Sequence, residues 1–166
     1  MTATLDLWPI GNCQVSALID RRGRFVWGCV PRVDGIPAFS SLLDDKPPAG
    51  EGARGFWEID LENCVATHQH YLRNTPVLVT RHEDAAGNAV EVIDFCPRFH
   101  RAGRMYRPVA YVRIVRPVSG SPRIRTRLRP ASQATNDTLR IGDLTVDVAA
   151  HEVRRGDGAI ALTPLE

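Results

Sequence analysis

The sequence predicts an all-β protein: an antiparallel β-sandwich, cut short, with a small four-stranded antiparallel sheet at the C-terminus. Three observations carry that expectation. Short apolar segments recur at even spacing through residues 10–130. Turns rich in Gly, Pro, Asp and Asn separate them, and no stretch of about ten residues has helical periodicity. Residues 138–166 then read as four very short strands that stop at Leu162-Thr163-Pro164-Leu165-Glu166, where a helix is due.

Residues 14–20 and 25–30 are apolar runs joined by Arg21-Arg22-Gly23-Arg24, a short glycine-containing turn and a strong hairpin signal. Pro31-Arg32-Val33-Asp34-Gly35-Ile36-Pro37 breaks the sheet, because proline donates no ladder hydrogen bond and glycine marks a turn. Residues 39–43 are expected to form one helical turn, and 44–52, with two prolines and two glycines, a surface loop. Strands resume at 55–60, 64–73, 77–82 and 89–95, the last two making a hairpin around Glu83-Asp84-Ala85-Ala86-Gly87-Asn88. Residues 98–108 read as a basic loop, and 109–115 with 122–129 as a third hairpin around Ser119-Gly120. The small polar run Ala131-Ser132-Gln133-Ala134-Thr135-Asn136-Asp137 reads as a linker. The expected organisation is thus 1–130 sandwich, 131–137 linker and 138–166 truncated sheet.

A chain of 166 residues holds one ordinary domain, or one domain and a fragment. No stretch approaches the roughly 18 apolar residues of a membrane span, and Met1-Thr2-Ala3-Thr4-Leu5-Asp6 has no basic or apolar leader region. A cytoplasmic location is the expectation. Cys13, Cys29, Cys64 and Cys96 are widely spaced without a CxxC pair, which argues for buried free thiols over a zinc or redox site. Of the 21 basic residues only Lys46 is lysine, a bias of base composition rather than a sign of nucleic acid. Up to residue 130 there are 18 basic and 13 acidic residues, a balance of +5; from 131 onward 3 and 6, a balance of −3. That negative tail is ill suited to holding phosphates.

Candidate chemistry is sparse. His68 and His70 share one face of a strand, but no third ligand is in register, so a solvated strand face is the reading and no metal or cofactor is expected. Arg123, Arg125, Arg127 and Arg129 alternate along another strand, which reads as its polar face. Glu58 with Asp60, or Glu91 with Asp94, could be offered as an acid/base pair; such carboxylates on strand faces are usually solvated, and Asp94 reads as a structural hydrogen-bonder. Trp27 lies mid-strand and reads as core. Trp57, after a glycine-rich loop, could either pack or stack on a sugar ring. Asn12, Arg32 and Asp34 lie on turns. With Trp57 they are the candidate rim of a binding cleft.

Residues 10–130 resemble the N-terminal domain of trehalase-like and glucoamylase-like enzymes of glycoside hydrolase family fifteen. The matching stretches, in order, are Ile10-Gly11-Asn12-Cys13-Gln14-Val15-Ser16-Ala17-Leu18-Ile19-Asp20, Gly23-Arg24-Phe25-Val26-Trp27, Pro31-Arg32-Val33-Asp34, Tyr71-Leu72-Arg73-Asn74-Thr75-Pro76-Val77-Leu78-Val79-Thr80 and Val92-Ile93-Asp94-Phe95-Cys96-Pro97-Arg98-Phe99. The sequence departs at Val33-Asp34-Gly35, where the family tends to carry an aromatic, Asp and Ser. The resemblance implies a large β-sandwich packed on a barrel of paired helices. In that family the barrel supplies two glutamates, acid and base, for inverting cleavage of an α-glucosidic bond. Nothing in this sequence matches the barrel. Residues 138–166 resemble the opening of an OmpR/PhoB-type winged-helix domain, on Leu139-Arg140-Ile141-Gly142-Asp143-Leu144-Thr145-Val146-Asp147, His151-Glu152-Val153-Arg154-Arg155-Gly156-Asp157 and Ile160-Ala161-Leu162-Thr163-Pro164-Leu165-Glu166. There Thr163 and Glu166 would form a capping box for a helix that does not follow, and the recognition helix is missing too.

The expected function is therefore a non-catalytic domain of a trehalase/glucoamylase-like hydrolase, not an enzyme as it stands, whose partner is a helical catalytic domain absent from this chain. The alternatives are a fragment of an OmpR/PhoB-type transcriptional regulator, or a fusion or truncation product without selected function. Self-association through uncovered sandwich edges is a further expectation, and nucleic-acid binding is not expected.

Overall fold

The structure, a computed structural model, describes residues 6–44, 50 and 52–131, together with the backbone strands of residues 138–160. Its regular structure is nearly all strand, with one 3-10 turn, and the described strand pairs are antiparallel. The chain falls into two compact units, Met1–Ala131 and Ser132–Glu166.

In the first unit the strands are β1 (Leu7–Gly11), β2 (Ser16–Asp20), β3 (Phe25–Cys29), β4 (Pro37–Phe39), β5 (Phe56–Leu61), β6 (Cys64–Tyr71), β7 (Leu78–Asp84), β8 (Ala89–Phe95), β9 (Phe99–Arg101), β10 (Arg104–Tyr106), β11 (Val112–Ser119) and β12 (Ile124–Arg129). One sheet runs β1-β2-β3-β5-β12 with β4 added on β3; the facing sheet runs β11-β8-β7-β6. Strands β9 and β10 form a ribbon of their own. The second unit is a meander of β13 (Thr138–Ile141), β14 (Leu144–Asp147), β15 (Glu152–Arg155) and β16 (Gly158–Ile160). Four short strands are thus present where the sequence places them. Of the expected linker 131–137 only Ala131 is among the described residues, and Thr163 and Glu166 lie outside them.

The β2–β3 hairpin closes as its sequence implies. Asp20 Oδ1 accepts from the Arg22 and Arg24 amides at 2.9 Å each. Gly23 takes the left-handed conformation, φ +73°, that glycine adopts without a Cβ clash. A side chain there would also meet Thr80 of the facing sheet at 3.0 Å. The β7–β8 turn repeats the device, with Asp84 accepting from the Ala86 and Asn88 amides. The helical turn expected over 39–43 is a 3-10 turn at Ser41–Leu43.

The core between the sheets collects Ile10, Val15, Ala17, Ile19, Phe25, Phe39, Leu78 and Cys96, with Trp8, Trp57, Tyr71 and Tyr111 packed against them. Phe25 sits edge-on to Phe39 and Tyr111. Burial pushes the Cys96 thiol up to about 12, which keeps it a protonated packing group. Trp27 is half-buried and stands outside this cluster.

Charge is buried here too, which the alternation of residues did not reveal. Arg113 on β11 grips Asp94 on β8 through Nε at 2.7 Å and Nη2 at 3.0 Å. Both side chains are within the core, 1% and 0% exposed. The guanidinium also donates to the Trp57 carbonyl at 2.8 Å and to the Gly23 carbonyl at 2.5 Å, and lies 4.5 Å from the Phe25 ring centroid. It ties the two sheets together. Glu58 is likewise buried, paired with Arg127 and near Arg24 at 3.9 Å. Solvated strand carboxylates were the expectation; at Glu58 and Asp94 the structure replaces them with buried ion pairs. Asp94 does hold a structural hydrogen-bonding position.

Two further expectations are corrected. Residues 109–115 and 122–129 do not pair with each other: β11 pairs with β8, and β12 crosses to the other sheet to pair with β5. A hairpin around Ser119-Gly120 would set Arg116 directly opposite Arg123, a like-charge pair that costs stability. In the observed arrangement Arg116 meets Glu91, Arg113 meets Asp94 and Arg127 meets Glu58. The crossing is fixed where the Ser121 amide donates to Asn88 Oδ1 at 2.9 Å. The basic loop expected over 98–108 contains the β9–β10 ribbon instead. Its two-residue turn, Ala102-Gly103, has φ +49° and +73°, the doubly left-handed form that suits strand twist.

Candidate functional site

Three connections converge at one end of the sandwich: the β1–β2 turn, the loop after β3, and the segment from β8 to β11. Asn12 joins the first to the third. It is 2% exposed, and its Nδ2 donates to the Pro97 carbonyl at 2.8 Å and the Pro108 carbonyl at 2.9 Å. Its Oδ1 accepts from the Gln14 and Val15 amides at 2.9 and 3.1 Å. Every position of the amide is used, so Asn12 is a clasp and has no capacity left for a ligand. The turn needs it because Cys13 takes a left-handed φ of +70°.

Tyr111 is a second staple at the same end. Its hydroxyl lies 3.0 Å from the carbonyls of Ser16 and Cys29, at the start of β2 and the end of β3. Burial raises the Tyr111 pKa well above the phenol range, so the hydroxyl keeps the proton it shares between them.

Arg32 and Asp34 form an exposed two-point ion pair, Nε to Oδ1 and Nη2 to Oδ2, both 2.9 Å. The hydrogen bond from Arg32 holds the Asp34 carboxyl below its usual range. Cys13, Gln14, Arg32, Val33 and Asp34 line one open cleft of about 430 Å³. The two turns singled out in the sequence therefore meet, and Cys13 and Gln14 rather than Asn12 present the first of them. Cys13 is an exposed thiol and Cys64 half-buried, so only Cys29 and Cys96 match the expected burial.

Trp57 is not brought to this cleft. It is half-buried, 5.5 Å from the Phe25 ring and 5.3 Å from the Arg113 guanidinium. Its indole Nε1 is buried with no hydrogen-bond partner among the described residues. A polar cleft of about 500 Å³ elsewhere is lined by Arg22, Asp60, Glu62, Asn63, Cys64, Arg123 and Arg125 among others. Arg123 and Glu62, 3.9 Å apart, offset each other there.

His68 and His70 are exposed on β6, as expected of a solvated face. His82, which alternation along β7 does not single out, is 2% exposed. Its Nδ1 lies 3.2 Å from Thr67 Oγ1 and 3.8 Å from Cys64 Sγ, while Nε2 has no partner among the described residues. Burial pushes its pKa below the ordinary value, so the ring is neutral in the fold. Among the described residues no three His, Cys, Asp or Glu side chains converge as a metal site, and no helix is long and apolar enough to cross a membrane.

The β9–β10 ribbon is short for a periodicity signal; its mark in the sequence is Phe99 and Tyr106 placed to pair around Ala102-Gly103. Comparison with family models, with curated proteins and with solved structures finds no match to this chain.

Proposed function

We propose that residues 10–130 serve as a non-catalytic N-terminal domain of a trehalase/glucoamylase-like hydrolase, supporting a helical catalytic barrel and shaping one rim of its cleft. The observation that carries this reading is the junction of turns 11–14 and 32–34 in one open cleft, on a base made rigid by Asn12 and Tyr111. Stretches that resemble the hydrolase family, Ile10-Gly11-Asn12-Cys13-Gln14 and Pro31-Arg32-Val33-Asp34, come together there. Three of the four candidate carboxylates are engaged elsewhere, Asp94 with Arg113, Glu58 with Arg127 and Glu91 with Arg116, while Asp60 lines the other, polar cleft. An inverting hydrolase needs two carboxyls with a water between them, and on this reading the barrel provides both.

The chain alone then releases no glucose from trehalose, maltose or isomaltose. Added to a trehalase-like barrel lacking its own sandwich, it raises that barrel's activity. Turnover by the purified chain that disappears in Glu58→Gln or Asp94→Asn would sink the reading, as would a barrel indifferent to its presence. For residues 138–160 the four-strand meander favours a second reading, the opening sheet of an OmpR/PhoB-type regulator domain.

A further inference from the structure

We propose that the β9–β10 ribbon, residues 98–107, is a docking element for an acidic protein surface. The inference stands on the ribbon itself and is independent of the hydrolase reading. Strands β9 and β10 pair only with each other, and all their residues except Met105 are exposed. The segment Arg98-Phe99-His100-Arg101-Ala102-Gly103-Arg104-Met105-Tyr106-Arg107 holds four arginines and no acidic residue.

The register divides these side chains between two faces. Arg101 lies directly opposite Arg104, and Phe99 directly opposite Tyr106, so all four share one face. Like charges placed directly opposite on a ribbon destabilise it. Elsewhere in this unit, buried Arg113 and Arg24 and half-buried Arg127 are matched to carboxylates: Asp94, Asp20 and Glu58. Among the described residues neither Arg101 nor Arg104 has a carboxylate within 4.0 Å. A carboxylate set between the two guanidiniums relieves that repulsion and takes charge-assisted hydrogen bonds from both.

The same face carries an apolar anchor. Phe99 and Tyr106, 45% and 47% exposed, meet edge to face at 5.3 Å. The opposite face bears Arg98, whose Nε lies 3.3 Å from Met105 Sδ. Exposed Arg, Tyr and Phe together are residue types enriched at protein-interface centres. Nucleic acid fits less well. A single strand needs cations spread along a groove of several nucleotides, whereas Arg32, on the loop after β3, is already tied to Asp34. The ribbon is also held ready, since Asn12 hydrogen-bonds the carbonyls at both its roots, Pro97 and Pro108. A rigid root lowers the entropy lost on docking.

The test uses the full chain and fluorescence anisotropy at low salt. The probes are a short labelled peptide of Glu and Asp interspersed with Leu, its Gln/Asn counterpart, and a labelled oligo-dT of similar charge. The acidic peptide is expected to bind, to weaken as salt rises, and to bind about tenfold more weakly to Arg101→Gln/Arg104→Gln. Phe99→Ser/Tyr106→Ser should also weaken it, and Arg125→Gln/Arg129→Gln on β12 should not. The Arg101→Gln/Arg104→Gln protein should melt no lower than the parent, because only repulsion has been removed. Charge reversal, Arg101→Glu/Arg104→Glu, should transfer binding to a Lys-rich peptide. Equal binding of the Gln/Asn peptide, an equal loss in the β12 variant, tighter binding of oligo-dT, or no binding at all would overturn the proposal.

Discussion

Replacing Asn12 with alanine separates a clasp from a ligand-binding side chain. The substitution removes four hydrogen bonds at a buried site: two to the Pro97 and Pro108 carbonyls and two from the Gln14 and Val15 amides. Each such bond contributes about 0.5–1.5 kcal/mol net, and the groups left behind are partly shielded from water, so the loss is about 3 kcal/mol. With a urea slope of about 2 kcal/mol per molar, the unfolding midpoint falls by about 1.5 M at unchanged slope. Asn12→Asp is the sharper variant. It keeps the acceptor for the two amides but turns the donor toward Pro97 and Pro108 into a charged acceptor. It should therefore destabilise at least as much at neutral pH and recover as acid restores a donating proton. Amides of residues 98–107 should lose hydrogen-exchange protection in both variants. Arg32→Ala, at the exposed pair, should leave the midpoint where it is. A midpoint shift below about 0.5 M for Asn12→Ala, or one matched by Arg32→Ala, refutes the clasp.

Three other outcomes follow from the same geometry. Arg113→Met strands the buried Asp94 carboxylate and should cost about 3–5 kcal/mol in urea unfolding; a loss below about 1 kcal/mol would mean that the pair does not join the sheets. His82 is depressed by burial from its ordinary 6.5. Above that pH folded and unfolded states are both neutral, and below it the unfolded chain takes up a proton that the fold resists, so stability falls with acid; His82→Gln should flatten this slope between about pH 6.5 and 5. β12 is the edge strand of its sheet, paired with β5 on one side only. That leaves Ile124 and Leu128 43% and 51% exposed. Sedimentation should show self-association that Leu128→Lys reduces, and limited proteolysis should cut first within 131–137; a monodisperse parent with that segment protected contradicts both.

Much of the sandwich was legible because its signals are local. Gly23 and Asp20 announce the β2–β3 turn, Asp84 and Gly87 the β7–β8 turn, and the apolar runs between them give strands β5 to β8. The partner of each strand was not local. β11 and β12 follow one another across a short Ser-Gly turn, the usual sign of a hairpin, yet their arginines find carboxylates on β8 and β5. Sequence adjacency lost to charge pairing. The same blindness hid the burial of Glu58 and Asp94, because a carboxylate on a strand reads as solvated until its arginine is located. β1 was missed since Pro9 interrupts its apolar run, although at a sheet edge proline is tolerated. Of the four site candidates, Arg32 and Asp34 reach the cleft, Asn12 stands behind it as its support, and Trp57 packs in the core. Distance along the chain could not separate these roles; hydrogen-bond partners do.

The most direct test of the account maps where a partner touches the sandwich. Hydrogen exchange should be compared for the full chain alone and mixed with a trehalase-like helical barrel that lacks its own sandwich. The account predicts new protection in residues 12–15 and 30–36, at the end of the sandwich that carries the cleft. Absence of a complex, or protection confined to the β6–β7 face that bears His68, His70 and Arg81, would contradict it.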